Sequence, residues 1–173
     1  MDVHLEYQPF NKIYEMLAEQ TIDFGFVAYP KKRQGILIET FDEEEMVLAQ
    51  SAQRPTLNGR NRHLRDLNGV KFVTFSSGTP TREFIDHFFK IKGIAPTVVH
   101  EYDNIETLKS AILLGMGCSL VPKNTLRQEL HEKTLQILPV RGLKLSRPLG
   151  ILRTKGKIFT EAAQAFYDMI VRK

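Results

Sequence analysis

The sequence predicts an α/β fold, because short apolar segments alternate with segments of helical periodicity. The chain has 173 residues, of which 42% are hydrophobic and 25% are charged, a composition typical of a globular protein. The apolar segment 70–75 is followed by the segment 81–91, where apolar residues recur at helical spacing. Strands that alternate with helices of about ten to fifteen residues indicate largely parallel sheets covered on both faces.

The first half of the chain predicts two helices and three strands. A helix over 10–20 has an apolar face formed by Phe10, Ile13, Tyr14 and Leu17. A helix over 81–91 ends at Gly93, since glycine commonly follows the last helical residue. The acidic run 42–45 is predicted to be solvated, because adjacent carboxylates repel one another. Strands are predicted at 24–27, 46–49 and 70–75, and a polar loop at 50–61.

The second half repeats this pattern. A strand over 97–101 precedes a helix over 105–114, which is expected to end at the glycines of 115–117. The next apolar run contains the only cysteine, Cys118, which we predict to be a buried structural thiol. The remaining predicted elements are strands over 118–121, 135–138 and 149–152, a short helix over 124–130, and a last helix bearing Ala162, Phe166, Met169 and Ile170.

A hydroxyl-rich turn joins the strand 70–75 to the helix that follows it. Backbone N–H groups and hydroxyls at such a turn converge on one point, which suits a small anionic ligand. The alternative is local: Ser77, Thr79 or Thr81 can cap the helix without binding a ligand. The candidate ligand residues in this turn are Ser76, Ser77, Gly78, Thr79 and Thr81.

Two further loops, 27–30 and 101–105, also follow predicted strands. Ligands of open α/β sheets bind outside the carboxyl ends of the strands. Two alternatives stay open: Asp103 and Asn104 are good helix N-caps, and Tyr29 with Pro30 forms a simple turn. The basic run 31–33 is either solvated or a source of positive potential that attracts anions. The candidate ligand residues in these loops are Ala28, Tyr29, Asp103, Asn104 and Ile105.

Patterns for catalysis and metal binding do not occur in the sequence. The five histidines lack metal-ligand spacing. The motif Ser76-Ser77-Gly78 lacks the preceding glycine that a nucleophile elbow needs, and no glycine-rich phosphate loop is present. We therefore predict a protein that is not an enzyme and has no cofactor and no metal site.

Charge and hydropathy restrict the partners. Lys and Arg exceed Asp and Glu by four, but this excess is spread along the chain, which favours a solvated surface over a nucleic-acid interface. No stretch of about 18 apolar residues is present, and residues 1–7 lack the pattern of a secretion signal. We predict a cytoplasmic protein with no membrane partner.

Seven short motifs are distributed over nearly the whole chain. They are Asp23–Val27, Glu45–Leu48, Leu64–Gly69, Gly78–Arg82, Asp103–Thr107, Gly115–Pro122 and Arg147–Gly150. Each motif is weak alone, but their joint order and spacing resemble the effector-binding, or substrate-binding, domain of LysR-type transcriptional regulators. The helix-turn-helix of that family is absent from this chain, and the first strand of lobe 1 is expected to be missing.

The resemblance implies two Rossmann-like lobes of the periplasmic-binding-protein type II architecture. Lobe 1 is expected over 1–68 and 147–173, and lobe 2 over 69–146. Two crossover segments, near 66–69 and 145–148, would join them. The loops after the strands would then line one cleft between the lobes, in which Ser77 and Asn104 face a common pocket.

The function that the resemblance implies is ligand sensing. A small polar or anionic effector, such as a carboxylate, would bind in the cleft and control the conformation of a DNA-bound oligomer. DNA would be contacted only through the absent N-terminal domain. One alternative is a free-standing solute-binding protein of the same fold, and another is an enzyme on a similar scaffold. An upstream coding segment for a helix-turn-helix would favour the regulator, and a signal peptide would favour the solute-binding protein.

The resemblance also implies a homodimer or tetramer. Its antiparallel dimer would pack the helix 10–20 of one copy beside the helix 81–92 of the other. Four apolar residues extend the faces of these helices beyond a single core stripe, and they would supply the contact surface: Tyr14, Met16, Phe88 and Phe89.

Overall fold

The computed structural model describes residues 3–59 and 62–171. The α-helices are α1 (Phe10–Ala18), α2 (Pro80–Lys92), α3 (Ile105–Leu113), α4 (Arg127–His131) and α5 (Glu161–Val171). Two 3₁₀ turns lie at Leu64–Leu67 and Lys123–Leu126. The strands are β1 (Gly25–Ala28), β2 (Ile36–Ser51), β3 (Arg62–His63), β4 (Lys71–Phe75), β5 (Thr97–Tyr102), β6 (Ser119–Pro122), β7 (Leu135–Leu138), β8 (Val140–Arg141) and β9 (Leu145–Thr154).

The chain divides into two compact units. Unit 1 comprises 1–43 and 148–173, and unit 2 comprises 44–147. Residues 44–67 belong to unit 2 because the second half of β2 pairs with β6 and β7. The predicted lobes, 1–68 with 147–173 and 69–146, stay a prediction.

Unit 1 is built on the antiparallel pair β1–β9, in which Gly25 lies opposite Leu152. Helix α1 covers this pair with two buried residues, Tyr14 and Leu17. Gly25 is required at this contact, because a Cβ there would lie 2.4 Å from a side-chain carbon of Ile13. Helix α5 contains the four apolar residues of the predicted last helix, but none of its residues is fully buried and Met169 is exposed.

Unit 2 contains the larger apolar core, which is centred on β2, β4 and β6. Strand β4 pairs in parallel with β5, and Phe75 lies opposite Tyr102 at the carboxyl end of the pair. Strand β6 approaches β4 closely at Cys118, whose N–H donates to the Lys71 carbonyl over 3.0 Å. Gly117 permits this approach, because a Cβ there would lie 2.7 Å from the same carbonyl oxygen.

The prediction of largely parallel pairing is wrong for the five-stranded sheet. Strand β1 pairs antiparallel with β9, and β2 pairs antiparallel with both β6 and β7. The pairs β4–β5 and β3–β8 are parallel. The sense of a pair depends on the path of the chain between its two strands, which the periodicity of each strand does not encode.

Strand β2 also changes two local predictions. It begins at Ile36, so the acidic run 42–45 lies inside a strand, where Glu44 is half-buried and the other three residues are exposed. It ends at Ser51, so the predicted loop at 50–61 begins later, and its residues 60 and 61 lie outside the described part of the chain. Among the described helices, none is both long and apolar enough to cross a membrane.

Candidate ligand-binding site

A tight turn connects β4 to α2. The Thr79 N–H donates to the Ser76 carbonyl over 3.3 Å, and the Thr79 hydroxyl donates to the same oxygen over 2.9 Å. Gly78, the third residue of the turn, has a φ of 81°, a conformation that glycine adopts without strain. Within 3–59 and 62–171, no acceptor is found for the Gly78 N–H, and the Ser76 and Ser77 hydroxyls make no hydrogen bond.

Thr79 is the N-cap of α2. Its hydroxyl oxygen accepts from the Arg82 N–H over 3.3 Å, and Pro80 occupies the first helical position, where a missing N–H is tolerated. Thr79 therefore caps the helix, as in the alternative without a ligand. Thr81 is buried in the first turn of the helix, with only 7% of its surface exposed, so it supports the turn from inside.

Two charged side chains hold the turn in place. Glu101 Oε2 accepts from the Ser77 N–H over 3.0 Å, and Glu101 Oε1 lies 2.6 Å from Arg82 Nη1. The same Arg82 nitrogen donates to the Phe75 carbonyl over 2.9 Å, and its Nε contacts both oxygens of Asp86 at 2.9 Å. The Arg82 hydrogen bond, with that of the Ser77 N–H, holds the pKa of Glu101 below its ordinary value.

The N-terminus of α3 lies beside this turn. Because β4 and β5 run parallel and in register, the turn after Phe75 and the loop after Tyr102 leave the same edge, and the Ser76 N–H donates to the Tyr102 carbonyl over 2.8 Å. Asn104 caps α3 by accepting from the Thr107 N–H over 2.9 Å. Its amide nitrogen donates to Asp103, which is exposed.

Seven of the ten candidate residues therefore gather at one edge of β4–β5, and an eighth, Ile105, begins α3 at the same place, half-buried. The gathering confirms that the two loops are neighbours. It also shows that the Thr79 and Asn104 side chains already serve as helix caps. The groups left for a ligand are the Gly78 N–H and the hydroxyls of Ser76 and Ser77.

The two remaining candidates, Ala28 and Tyr29, lie in unit 1. Ala28 ends β1 opposite Leu149, and the Tyr29 N–H donates to the Pro148 carbonyl over 2.9 Å. Tyr29 has a φ of 51°, uncommon for a residue other than glycine and worth noting at a candidate site. That Ala28 and Tyr29 contact the same ligand as the unit 2 loops stays a prediction.

The basic run after Tyr29 is partly engaged within unit 1. The Lys31 N–H donates to the Tyr14 hydroxyl over 2.8 Å. The Arg33 guanidinium lies 4.3 Å from the centroid of the same ring, and it donates to Asn11 over 2.6 Å. Arg33 is thus a structural partner of α1, and a role for this run in attracting anions stays a prediction.

Arg82 and Glu101 are the site residues that sequence reasoning missed. The sequence placed Glu101 at the start of the candidate loop 101–105 and Arg82 directly after the other candidate turn, but their pairing depends on the register of β4 and β5. Cys118, in contrast, is buried as predicted, and this burial raises the pKa of its thiol to about 12. A thiol with so high a pKa carries almost no thiolate at neutral pH and is a poor nucleophile.

The chain is similar in fold to several solved regulatory and effector-binding domains. The chain matches the CcmR regulatory domain of Synechocystis PCC6803 in complex with 2-PG with a TM-score of 0.81 and 23% identity, covering 93% of this chain and 77% of that chain. It matches the effector-binding domain of QuiR in complex with shikimate with a TM-score of 0.81 and 19% identity, covering 95% and 78%. These neighbours establish the type II periplasmic-binding-like fold.

The family model of the LysR substrate binding domain matches residues 1–173, and the chain belongs to this family. Similar curated proteins include the HTH-type transcriptional regulator CysL of Bacillus subtilis (strain 168), 27% identical over 148 residues, with 86% of this chain and 50% of CysL covered. The regulator CbbR of Rhodospirillum rubrum is 29% identical over 154 residues, with 89% and 51% covered. The chain spans about half the length of these relatives.

Proposed function

We propose that the chain is the ligand-sensing regulatory domain of a LysR-type transcriptional regulator and binds a small polar or anionic effector. The observation that carries this proposal is the placement of the turn 76–79 beside the N-terminus of α3 at the carboxyl ends of parallel strands. This is where α/β sheets bind ligands. Family membership favours a sensor over the alternative, a free-standing solute-binding protein.

The chemistry of the turn favours a ligand rich in oxygen atoms. The Gly78 N–H and two serine hydroxyls are donors that suit a carboxylate or a sugar-like hydroxyl. The negative charge of Glu101 is offset by Arg82, so it does not by itself exclude an anion. None of these groups forms a nucleophile–base pair, which supports a binding role without catalysis.

The full-length protein would act in the cytoplasm, where a transcriptional regulator meets its DNA. A solved structure with the same fold is full-length CbnR complexed with its target DNA, with a TM-score of 0.77 and 21% identity, covering 95% of this chain and 55% of that chain. We propose that DNA contacts of the present protein lie outside these 173 residues. Effector binding would then be transmitted from this chain to the DNA-binding part.

Thermal unfolding in the presence of small carboxylates tests this function. The first probes are 2-PG and shikimate, followed by other hydroxylated acids of similar size. A ligand present at about 100 times its Kd raises the free energy of unfolding by about 2.7 kcal/mol. A ligand that binds with unchanged affinity when the turn is altered would contradict the proposed site.

Ser77→Ala is the most direct alteration of the turn. It removes a free hydroxyl from an exposed position and leaves the Ser77 N–H on Glu101. We expect the Kd of the effector to rise by about two- to tenfold, the equivalent of one neutral hydrogen bond. Calorimetric titration measures the Kd, and the control is Ser110→Ala, on exposed helix surface. Equal affinity of wild type and Ser77→Ala would show that this hydroxyl makes no ligand contact.

We also propose that the protein forms a homodimer through α1 and α2. The structure corrects part of the expected surface, because Tyr14 and Phe89 are buried within their own units, at 2% and 6% exposure. Met16 and Phe88 are half-buried, and Ile91 on α2 is 64% exposed. An exposed isoleucine next to partly exposed aromatic surface is typical of a contact between subunits.

Ile91→Glu tests the dimer, because it places a charge in the proposed apolar contact. We expect light scattering at micromolar concentration to give a dimer for the wild type and a monomer for Ile91→Glu. Lys92→Glu changes the charge of the neighbouring exposed residue and should remain dimeric. A monomeric wild type, or a dimer that is unaffected by Ile91→Glu, would contradict the proposed interface.

A further inference from the structure

A second pocket lies in unit 2, apart from the turn 76–79. Its volume is about 590 Å³, within the range of about 300–1,000 Å³ typical of small-molecule sites. None of the candidate ligand residues lines it. It forms where the chain turns away from β2 after Leu138. Strand β7 pairs with β2 as far as Leu138, and the next strand, β8, pairs in parallel with β3.

The walls of this pocket are apolar. The buried side chains Met46, Leu48 and Leu138 line it, together with Val140 and Leu143, which are half-buried. These residues come from β2 and from the segment 138–143. Apolar walls of this kind suit the hydrocarbon part of a ligand.

Two arginines, Arg62 and Arg141, also line the pocket. Neither forms an ion pair with a carboxylate in the described part of the chain. The only other charged residue of the lining is Glu45, whose carboxylate is 2.6 Å from Lys123 Nζ. In the described part of the chain, the two arginines of the lining therefore have no carboxylate partner, whereas Glu45 is already paired with Lys123.

Arg62 provides the most specific indication of a ligand. Its Nε is buried and has no hydrogen-bond partner among the described residues, and a buried donor without an acceptor is unfavourable. The guanidinium is not loosely placed, because its Nη2 is 3.5 Å from the Leu57 carbonyl. Leu57 is itself held by the buried side chain of Gln50, which bonds both its N–H and its carbonyl.

We propose that this pocket is a second ligand site, which binds an amphipathic organic anion. A carboxylate of the ligand pairs with the guanidinium groups of Arg62 and Arg141, while an aliphatic or aromatic body lies against Met46, Leu138 and Leu143. Charge-assisted hydrogen bonds from a guanidinium to a carboxylate are among the strong ones. The site is adjacent to β2, which continues from unit 2 into unit 1.

Titration of the 173-residue chain with hexanoate, followed by amide NMR, tests the proposal. We expect saturable shifts at the amides of residues 137, 138 and 140–143. We expect the affinity for hexanamide, which lacks the charge, to be lower by about tenfold. Acetate, which lacks the apolar body, should bind still more weakly. The amides of 76–79 are the internal control, because shifts confined to them would assign the binding to the other site.

Substitutions separate the proposal from non-specific binding. Arg62→Gln and Arg141→Gln should each weaken hexanoate binding by about tenfold, and Arg141 is exposed, so its replacement leaves the fold intact. Arg65→Gln, at a side chain with 82% exposure, is the matched control and should bind as the wild type does. The proposal is overturned by the absence of saturable shifts at 137–143, by equal binding of hexanamide, or by unchanged affinity in Arg141→Gln.

Discussion

Lys109→Met is expected to lower the free energy of unfolding by about 3–5 kcal/mol, the typical effect of breaking a buried ion pair. Lys109 Nζ lies 2.8 Å from Glu129 Oε1 and 2.9 Å from Glu106 Oε2, and it donates to the Thr125 carbonyl over 3.1 Å. The Lys109 side chain is 10% exposed and that of Glu129 is 18% exposed. Without the lysine, the Glu129 carboxylate would remain buried and uncompensated.

Chemical denaturation measures this effect, and two variants control it. The double variant Lys109→Met/Glu129→Leu should recover most of the lost stability, because both charges are then replaced by apolar side chains. Lys90→Met, at an exposed lysine of α2, should change stability by less than about 0.5 kcal/mol. A Lys109→Met protein as stable as the wild type would show that the ion pair contributes nothing to stability.

The pH dependence of the Lys109 effect follows from the direction of its pKa shift. Burial by itself would lower the pKa of Lys109, but the hydrogen bonds to Glu129 and Glu106 outweigh it, and the pKa is raised above its ordinary value. A raised pKa adds stability that is fully present below the unfolded value of about 10.4 and is lost as pH rises through the folded pKa. The difference between wild type and Lys109→Met should therefore persist at neutral pH and decrease in alkaline solution.

Arg82→Met is the second substitution with a large expected effect. It removes the contacts of a 13% exposed guanidinium to the Phe75 carbonyl and to Glu101. We expect a loss of about 2–3 kcal/mol in the free energy of unfolding, the usual range for hydrogen bonds to charged groups. We also expect effector binding to weaken by at least about tenfold, because the turn 76–79 loses the residue that orders it.

Asp86→Asn is the matched control for Arg82→Met. It weakens only the ion pair between Arg82 and Asp86, which lie four residues apart on α2. The Asp86 side chain is 54% exposed, and such pairs contribute about 0.5 kcal/mol or less to stability. Calorimetric titration and denaturation should therefore show near wild-type values for Asp86→Asn. Equal effector affinity in Arg82→Met and Asp86→Asn would contradict the positioning role of Arg82.

NMR titration of the Glu101 carboxyl tests its contacts with Arg82 and the Ser77 N–H without any ligand. Arg82 and the Ser77 N–H hold the pKa of Glu101 below its ordinary value. A lowered pKa adds stability that is present above the unfolded value of about 4.3 and is lost as pH falls through the folded pKa. In Arg82→Met the pKa of Glu101 should rise toward its ordinary value, so the contact with Ser77 should be lost at a higher pH than in the wild type.

Local features of this protein could be predicted from the sequence because neighbours in the chain determine them. The start of α2 follows from Thr79 and Pro80, and its end from Gly93, which has a φ of 64°. Capping hydrogen bonds and turn conformations depend on residues within about one helical turn. The order of the motifs pointed to the family that the family model matches over residues 1–173.

Features that depend on pairing between distant segments could not be predicted in the same way. The alternation of strands and helices predicted parallel sheets, but whether β2 opposes β6 in the antiparallel sense depends on the path of the chain between them. The same pairing joins residues 44–67 to unit 2. The periodicity of the sequence shows which side chains of one strand share a face of the sheet. It does not show which other strand pairs with that strand.

The sequence by itself determined the fold class, the family and the two loops that form the candidate site in unit 2. Only the tertiary structure decided that Arg82 and Glu101 hold the Ser77 turn, and that Arg62 and Arg141 line one pocket. The physical reason is the separation of the residues along the chain. A cap or a turn forms from adjacent residues, whereas these ion pairs and this pocket form between residues that strand register brings together from separate parts of the chain.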